Sequence, residues 1–126
     1  MLSFRMVRAH RVARWMMLAI LAAPGPSLAA GAFAMGKCGA YGQAYDYVNE
    51  AAARAAALKQ CQGNCVAIPM RRSCAAFSID MSNPCGAHGY AVRPKISTSL
   101  NEATRECYKY GGKQCVIRAW ACDGRG

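Results

Sequence analysis

Cys38-Gly-Ala-Tyr-Gly-Gln-Ala44 and Cys85-Gly-Ala-His-Gly-Tyr-Ala91 are two versions of one seven-residue phrase. The organisation of the chain follows from them. Downstream of the first, Asn49-Glu-Ala-Ala52 opens a candidate helix, and downstream of the second, Ser99-Leu-Asn-Glu102 opens another. Further on, Cys65-Val-Ala-Ile68 parallels Cys115-Val-Ile-Arg118. The distance from helix start to strand cysteine is sixteen residues in both halves, 49 to 65 and 99 to 115. Three landmarks in one order argue for two copies of one unit.

Residues 32–37 and 42–47 read as short strands around a glycine-containing turn. Asn49 suits the N-cap of a helix over 50–60, with Glu50 and Arg54 spaced as a favourable i, i+4 pair. Gly63-Asn64 ends that helix. Residues 66–70 and 74–79 read as strands around the turn Arg71-Arg72-Ser73, and 86–93 starts the second unit. Ser99 and Glu102 form a capping-box pattern for a helix that runs to about Tyr110 and stops at Gly111-Gly112. Residues 116–122 make a last strand, with Trp120 expected in the core between Ala119 and Ala121.

All eight cysteines, Cys38, Cys61, Cys65, Cys74, Cys85, Cys107, Cys115 and Cys122, lie downstream of an export-type segment. That segment has Arg5, Arg8, Arg11 and Arg14 and no acid, then an apolar run over 15–23, a Pro-Gly-Pro break and small residues, which are the parts of a cleavable signal peptide. Nine apolar residues are too few to span a bilayer, which takes about 20. No permanent anchor is therefore expected. Cleavage is expected after Ala29 or Ala30; Ala32-Phe33-Ala34 also fits a small-x-small rule but lies far from the apolar run. Residues 1–29 are thus read as the signal and 30–126 as one cysteine-rich domain, destined for a periplasmic or extracellular site. An even cysteine count in an exported chain reads as a disulfide framework. Metal binding is the rival reading of Cys61-x3-Cys65. The absence of a CxxC pair and the single histidine outside the signal, His88, weigh against it.

Counted from the expected helix starts, Cys61 lies twelve residues in and Cys107 eight, about one turn apart, so both occupy one helix face. That placement suggests the pairs Cys61–Cys65 and Cys107–Cys115, with Cys38–Cys85 bridging the halves and Cys74–Cys122 remaining. Eight cysteines allow 105 connectivities, and this is one of them.

The ordered set Gly31-Ala-Phe-Ala34, Gly39-Ala-Tyr-Gly-Gln-Ala44, the alanine-rich stretch 51–61, Cys65-Val-Ala-Ile68, Cys74-Ala-Ala-Phe77, Gly89-Tyr-Ala91, Ser99-x-x-Glu102-Ala and Cys115-Val-Ile-Arg-Ala-Trp-Ala-Cys122 resembles the secreted, cysteine-rich bacterial domain of unknown function numbered 4189. The resemblance covers nearly all of residues 30–126. It implies an exported α+β domain with a duplicated core and supplies no activity. Together the readings give a small disulfide-rich α+β domain. It is made of two similar strand–helix–strand repeats, about 32–81 and 82–124, with two helices packed on an antiparallel sheet.

The chemistry is sparse. The acids outside the signal are Asp46, Glu50, Asp80, Glu102, Glu106 and Asp123. Glu50 and Glu102 have helix-start roles, Glu106 reads as solvated beside Arg105 and Lys109, and Asp80 and Asp123 lie near turns. His88 takes the place of Tyr41 in the other phrase and reads as a planar side chain at a turn. No nucleophile motif, phosphate loop or zinc-protease motif is present, so no catalytic residue, metal or cofactor is assigned. Residues 30–126 carry twelve basic and six acidic side chains. The densest basic clusters, Arg71-Arg72, Arg93 with Lys95, and Lys109 with Lys113, are the candidate contacts for an anionic envelope polymer or an acidic protein. Nucleic acid is disfavoured by compartment. Tyr41, Tyr45, Tyr47, Tyr90, Tyr108, Tyr110 and Trp120 are candidates for a binding face, the core being the preferred place for Trp120. The expected function is a monomeric, non-catalytic extracytoplasmic binding module. A small secreted hydrolase of cell-wall polymer and a passive structural envelope protein are the alternatives.

Overall fold

The computed structural model describes residues 30–124. Residues 1–29, where the signal is expected, and Arg125 lie outside the described residues. Strand β1 (Ala30–Met35) is followed by a single 3-10 turn (Lys37–Gly39), β2 (Tyr41–Tyr47), α1 (Glu50–Gln60) and β3 (Val66–Met70). Then come β4 (Cys74–Asp80), β5 (His88–Arg93), α2 (Ile96–Lys109) and β6 (Cys115–Cys122).

The chain is a small disulfide-rich α+β domain with two helices, but it has two sheets where one was expected. Three-stranded antiparallel sheets β2-β1-β3 and β5-β4-β6 lie face to face. Between them sit Phe33, Met35, Met70, Ala75, Phe77, Ile79, Ala119 and Ala121. Phe33 and Phe77, from the two central strands, meet edge to face at 6.5 Å, a favoured aromatic geometry. On its other face the first sheet packs Ala32, Ala34 and Ala44 against Ala53, Ala57 and Cys61 of α1. The second packs Ala76 and Ala91 against Ala103 of α2. The layers therefore run helix, sheet, sheet, helix. Strand β4, which the sequence placed beside β3 in the first unit, pairs with β5 and β6 instead. Each half thus runs strand, strand, helix, strand with its first strand in the middle of its sheet.

Glycine sets how closely each helix approaches. A Cβ at Gly42 would lie 2.0 Å from the Ala57 carbonyl oxygen, and one at Gly89 would lie 2.2 Å from that of Ala103. Only glycine lets these strands pass under the small-residue faces of α1 and α2.

Asn49 caps α1, its side chain accepting from the Ala52 amide at 2.8 Å. The second helix corrects two expectations. It starts at Ile96 after Lys95, a cap with no side-chain hydrogen bond, so Ser99 and Glu102 form no capping box. Ser99 is fully buried instead. Its Oγ accepts from the Arg93 amide at 2.9 Å and donates to the Cys74 carbonyl at 2.7 Å, bridging the end of the β4–β5 ladder. Counted from the observed caps, Asn49 and Lys95, Cys61 and Cys107 each lie twelve residues in. Trp120 is the other correction, being 55% exposed. Alternation along edge strand β6 sends Ala119 and Ala121 into the inter-sheet core and turns Trp120 to the opposite face.

Four disulfides join Cys38 to Cys85, Cys61 to Cys65, Cys74 to Cys122 and Cys107 to Cys115. They leave no free thiol among the described residues. The first links the β1–β2 turn to the β4–β5 turn, hence sheet to sheet. Cys61–Cys65 and Cys107–Cys115 tie each helix to the strand that follows it, and Cys74–Cys122 joins cross-strand partners of β4 and β6. A disulfide framework of this density belongs to an oxidising, extracytoplasmic environment. Among the described residues no helix is long and apolar enough to cross a membrane.

Candidate functional site

The two halves share an order of elements but differ at one edge. In the first sheet the outer edge of β2 is sealed by its own chain. The Gln43 amide donates to Gln60 Oε1 of α1 at 3.2 Å, and Gln43 Nε2 reaches the Trp120 carbonyl of β6 at 3.4 Å. Arg118 completes the seal. Its guanidinium lies 5.2 Å from the centre of the Tyr41 ring, and its Nε donates to the Gly39 carbonyl at 3.1 Å.

In the second sheet the matching edge, that of β5, opens into a groove of about 910 Å³. One wall is β3, through Ile68 and Pro69. The other is the side of α2 that carries Glu102, Glu106 and Tyr110, spaced one turn apart. Between them runs β5 with His88, Tyr90 and Val92. A second cavity of about 250 Å³ continues past Ile68, His88 and Tyr90 to the Cys38–Cys85 bridge. Tyr90 is 50% exposed and Tyr110 68%. These are large apolar side chains with polar tips on open surface, a composition common to binding sites.

The phase of the β4–β5 ladder decides what the edge offers. The Asp80 amide bonds the Ala87 carbonyl at 3.1 Å. Antiparallel alternation then directs the backbone groups of Gly89 and Ala91 inward to β4 and those of His88, Tyr90 and Val92 outward. The Val92 carbonyl accepts from Arg93 Nη1 at 2.8 Å.

The charged groups divide clearly. Arg93 Nε pairs with Glu102 Oε2 at 2.9 Å on the groove wall. Glu106, expected to be solvated, is half-buried and lines the same groove. The two acids share one wall a helical turn apart, about 5–6 Å between Cβ atoms. A glycosidase needs carboxyls that flank the bond it cleaves. His88 packs its ring edge to face against Phe77 at 6.3 Å, with Nδ1 3.2 Å from the Gly86 carbonyl. Tyr41 does the corresponding thing in the other half, stacking on Phe33. Glu50 pairs with Arg71 through two bonds, one of them 3.0 Å, rather than with Arg54. That guanidinium holds the Glu50 carboxyl below the usual range. Among the described residues no three His, Cys, Asp or Glu side chains converge as a metal site. The arrangement can hold a ligand by shape, backbone hydrogen bonds and charge.

The six basic candidates do not form one patch. Arg71 and Arg72 precede Cys74, and Cys74 is in register with Arg93, so these three and Lys95 occupy one end of the second sheet. Arg71 and Arg93 are engaged by Glu50 and Glu102. Lys113 is at the other end, where its backbone amide bonds Asp80, and Lys109 ends α2 beside it. The groove itself was not legible as a unit. Its sequence signals were Glu102, Glu106 and Tyr110 at four-residue spacing and a proline within β3.

The model of a family described as "Domain of unknown function (DUF4189)" matches residues 30–122. No curated protein and no solved structure matches the chain. The match spans most of the sequence and every element of both sheets, and the chain belongs to the DUF4189 family.

Proposed function

We propose that this domain is an exported, non-catalytic binding module that takes a protein partner in the groove along β5. One observation carries the reading: of two matching sheet edges, the chain seals one with Gln60, Gln43 and Arg118 and leaves the other open between aromatic and acidic side chains. The shared order of elements supports descent from a duplicated unit, with one edge since specialised. Residues 1–29 act as the export signal. Cleavage after Ala29 leaves β1 whole and cleavage after Ala30 trims only its first residue, whereas cleavage after Ala34 would remove Phe33 from the centre of the core. The intact mass of the exported protein is expected to start at Ala30 or Gly31.

A second reading, attraction to an anionic envelope polymer, draws on Arg71, Arg72, Arg93 and Lys95 at one end of the second sheet, with Lys109 and Lys113 elsewhere. Panning a displayed random-peptide library on the oxidised, processed protein separates the two. The partner reading expects binders that are lost in Tyr110→Ala and Glu106→Ala and kept in Arg72→Ala and Lys95→Ala. Binding of polyglutamate, lost at high salt and in the arginine and lysine variants and kept in the two groove variants, would replace it with the anionic reading.

A further inference from the structure

We infer that the groove receives an extended peptide segment as a fourth strand of the second sheet, added beside β5, with apolar and cationic side chains in alternation. This rests on the binding reading above and specifies its ligand.

The edge supplies the backbone half of the argument. β5 is bonded to β4 on one side only. The outward groups of His88, Tyr90 and Val92 lie along the floor of the groove. Six residues of strand offer about 20 Å of edge. The facing strand β3 carries Pro69, which has no amide to donate and discourages pairing on that wall. An added strand therefore pairs with β5, the mode of recognition in which main-chain bonds give affinity and alternate side chains give specificity.

The two walls supply the side-chain half. Gly89 lies under Ala103 of α2, and Ala91 packs with the same residue. Val92 packs with the inter-sheet core, and His88 stacks on Phe77 within it. One face of β5 thus looks to α2 and the other to β3. The same must hold for a strand laid beside it. Its alternate residues would meet Ile68 and Pro69 on one side and the Glu102, Glu106 and Tyr110 stripe on the other. The spacings agree: every second residue of a strand advances about 6.8 Å, and every fourth residue of a helix about 6 Å.

Arg93 shows which chemistry the acidic wall accepts. Its guanidinium binds Glu102 and also caps the outward Val92 carbonyl. Glu106, one turn along, has no ion-pair partner among the described residues. A lysine or arginine on the added strand would do for Glu106 what Arg93 does for Glu102. The sealed half offers an internal comparison, because there the matching edge amide, that of Gln43, is bonded to Gln60, three residues past Ala57 as Glu106 is past Ala103. A second copy of this chain is a poorer occupant. Pairing β5 with itself would bring two Glu106 stripes together and supply no cation beyond the engaged Arg93.

The test is calorimetric titration of the oxidised, processed protein with three eight-residue peptides. One alternates valine and lysine, one has the same composition in two blocks, and one alternates valine and lysine with every second backbone amide methylated. Binding by the first alone is expected, with slowed amide exchange at Tyr90 and Val92, and Glu106→Gln is expected to weaken it about tenfold. Equal binding of the block peptide, or indifference to methylation, overturns strand addition. If library binders still occupy the groove in that case, the binding reading survives; if nothing protects it, both fall. A dimer joined through β5 in scattering measurements also overturns the proposal.

Discussion

Asp80 stands at the end of β4, where four donors converge on its carboxylate. They are the Ser82 hydroxyl at 2.7 Å and the amides of Ser82, Lys113 and Gln114 at 2.9–3.2 Å. The Ser82 hydroxyl has the largest effect, the three amides add to it, and desolvation opposes them; together they hold the carboxyl at about 2, against an ordinary 3.8. A carboxyl held low in the fold contributes stability above its unfolded value and loses it as pH falls toward the folded one. Thermal unfolding followed by circular dichroism is therefore expected to show a falling Tm between about pH 4 and pH 2. Asp80→Asn should lower Tm at pH 7 and flatten that acid limb; an unchanged limb would mean that another carboxyl carries it. Asp123 behaves in the opposite sense. Burial pushes its carboxyl up, the Arg72 and Gly31 amides pull it down, and the charge of Asp46 adds to the rise. Its ionisation therefore costs stability as pH rises past the ordinary carboxylate range. The sequence places both residues near turns, and in the fold Asp80 ends β4 and Asp123 directly follows β6, both strands of the second sheet.

At the scale of single elements, the helices show where local sequence speaks and where it is overruled. Asn49 is a good cap by side-chain chemistry, and α1 starts directly after it. Ser99 has the same chemistry, yet α2 starts three residues earlier, through Ile96, Ser97 and Thr98. Those are modest helix formers, which is why Ser99 looks like the beginning. What overrules them is tertiary: the Arg93 amide and the Cys74 carbonyl need a bridge, and a buried hydroxyl inside the helix supplies it. No local pattern reports that need. The helix face shared by Cys61 and Cys107 was more legible. Ala53, Ala57 and Cys61 on α1 and Ser99, Ala103 and Cys107 on α2 repeat at four-residue intervals and are buried. Their small size is matched by Gly42 and Gly89 beneath. Gly42→Ala or Gly89→Ala forces a methyl into a backbone carbonyl that has no rotamer by which to move away. Each is expected to cost about 3 kcal/mol in urea unfolding, at the upper end of overpacking effects. A loss under about 0.5 kcal/mol, the range of neutral surface changes, would show that the helices ride higher on their sheets than the geometry here.

For the whole molecule, the layer count was the least legible feature, and β4 explains why. Its seven residues, Cys74 to Asp80, are all buried, with a sheet on one face and α2 on the other. A strand covered on both faces shows no alternation. Its sequence cannot say which layer lies on which side, so one sheet and two sheets read alike. With many alanines in the outer layers, much of the apolar area available to hold the sheets together is concentrated in the few large side chains around Phe33 and Phe77. Among the described residues the only disulfide between the sheets is Cys38–Cys85, which closes a separation of 47 residues. Both cysteines are exposed, so replacing them with alanine removes the cross-link while leaving the inter-sheet packing in place. Chain entropy assigns such a loop about 4 kcal/mol, against about 2 kcal/mol for the separation of 4 closed by Cys61–Cys65. The Cys38→Ala, Cys85→Ala double variant is therefore expected to lose about 4 kcal/mol in denaturant unfolding. That is a large part of the 5–15 kcal/mol typical of folded domains. The β5 edge borders the groove between β3 and α2, so the same variant should also raise amide exchange at Gly89 and Ala91, whose backbone groups bond β4. If stability falls by less than 1 kcal/mol and exchange at the edge is unchanged, the aromatic core alone fixes the sheets, and the bridge has no part in shaping the groove.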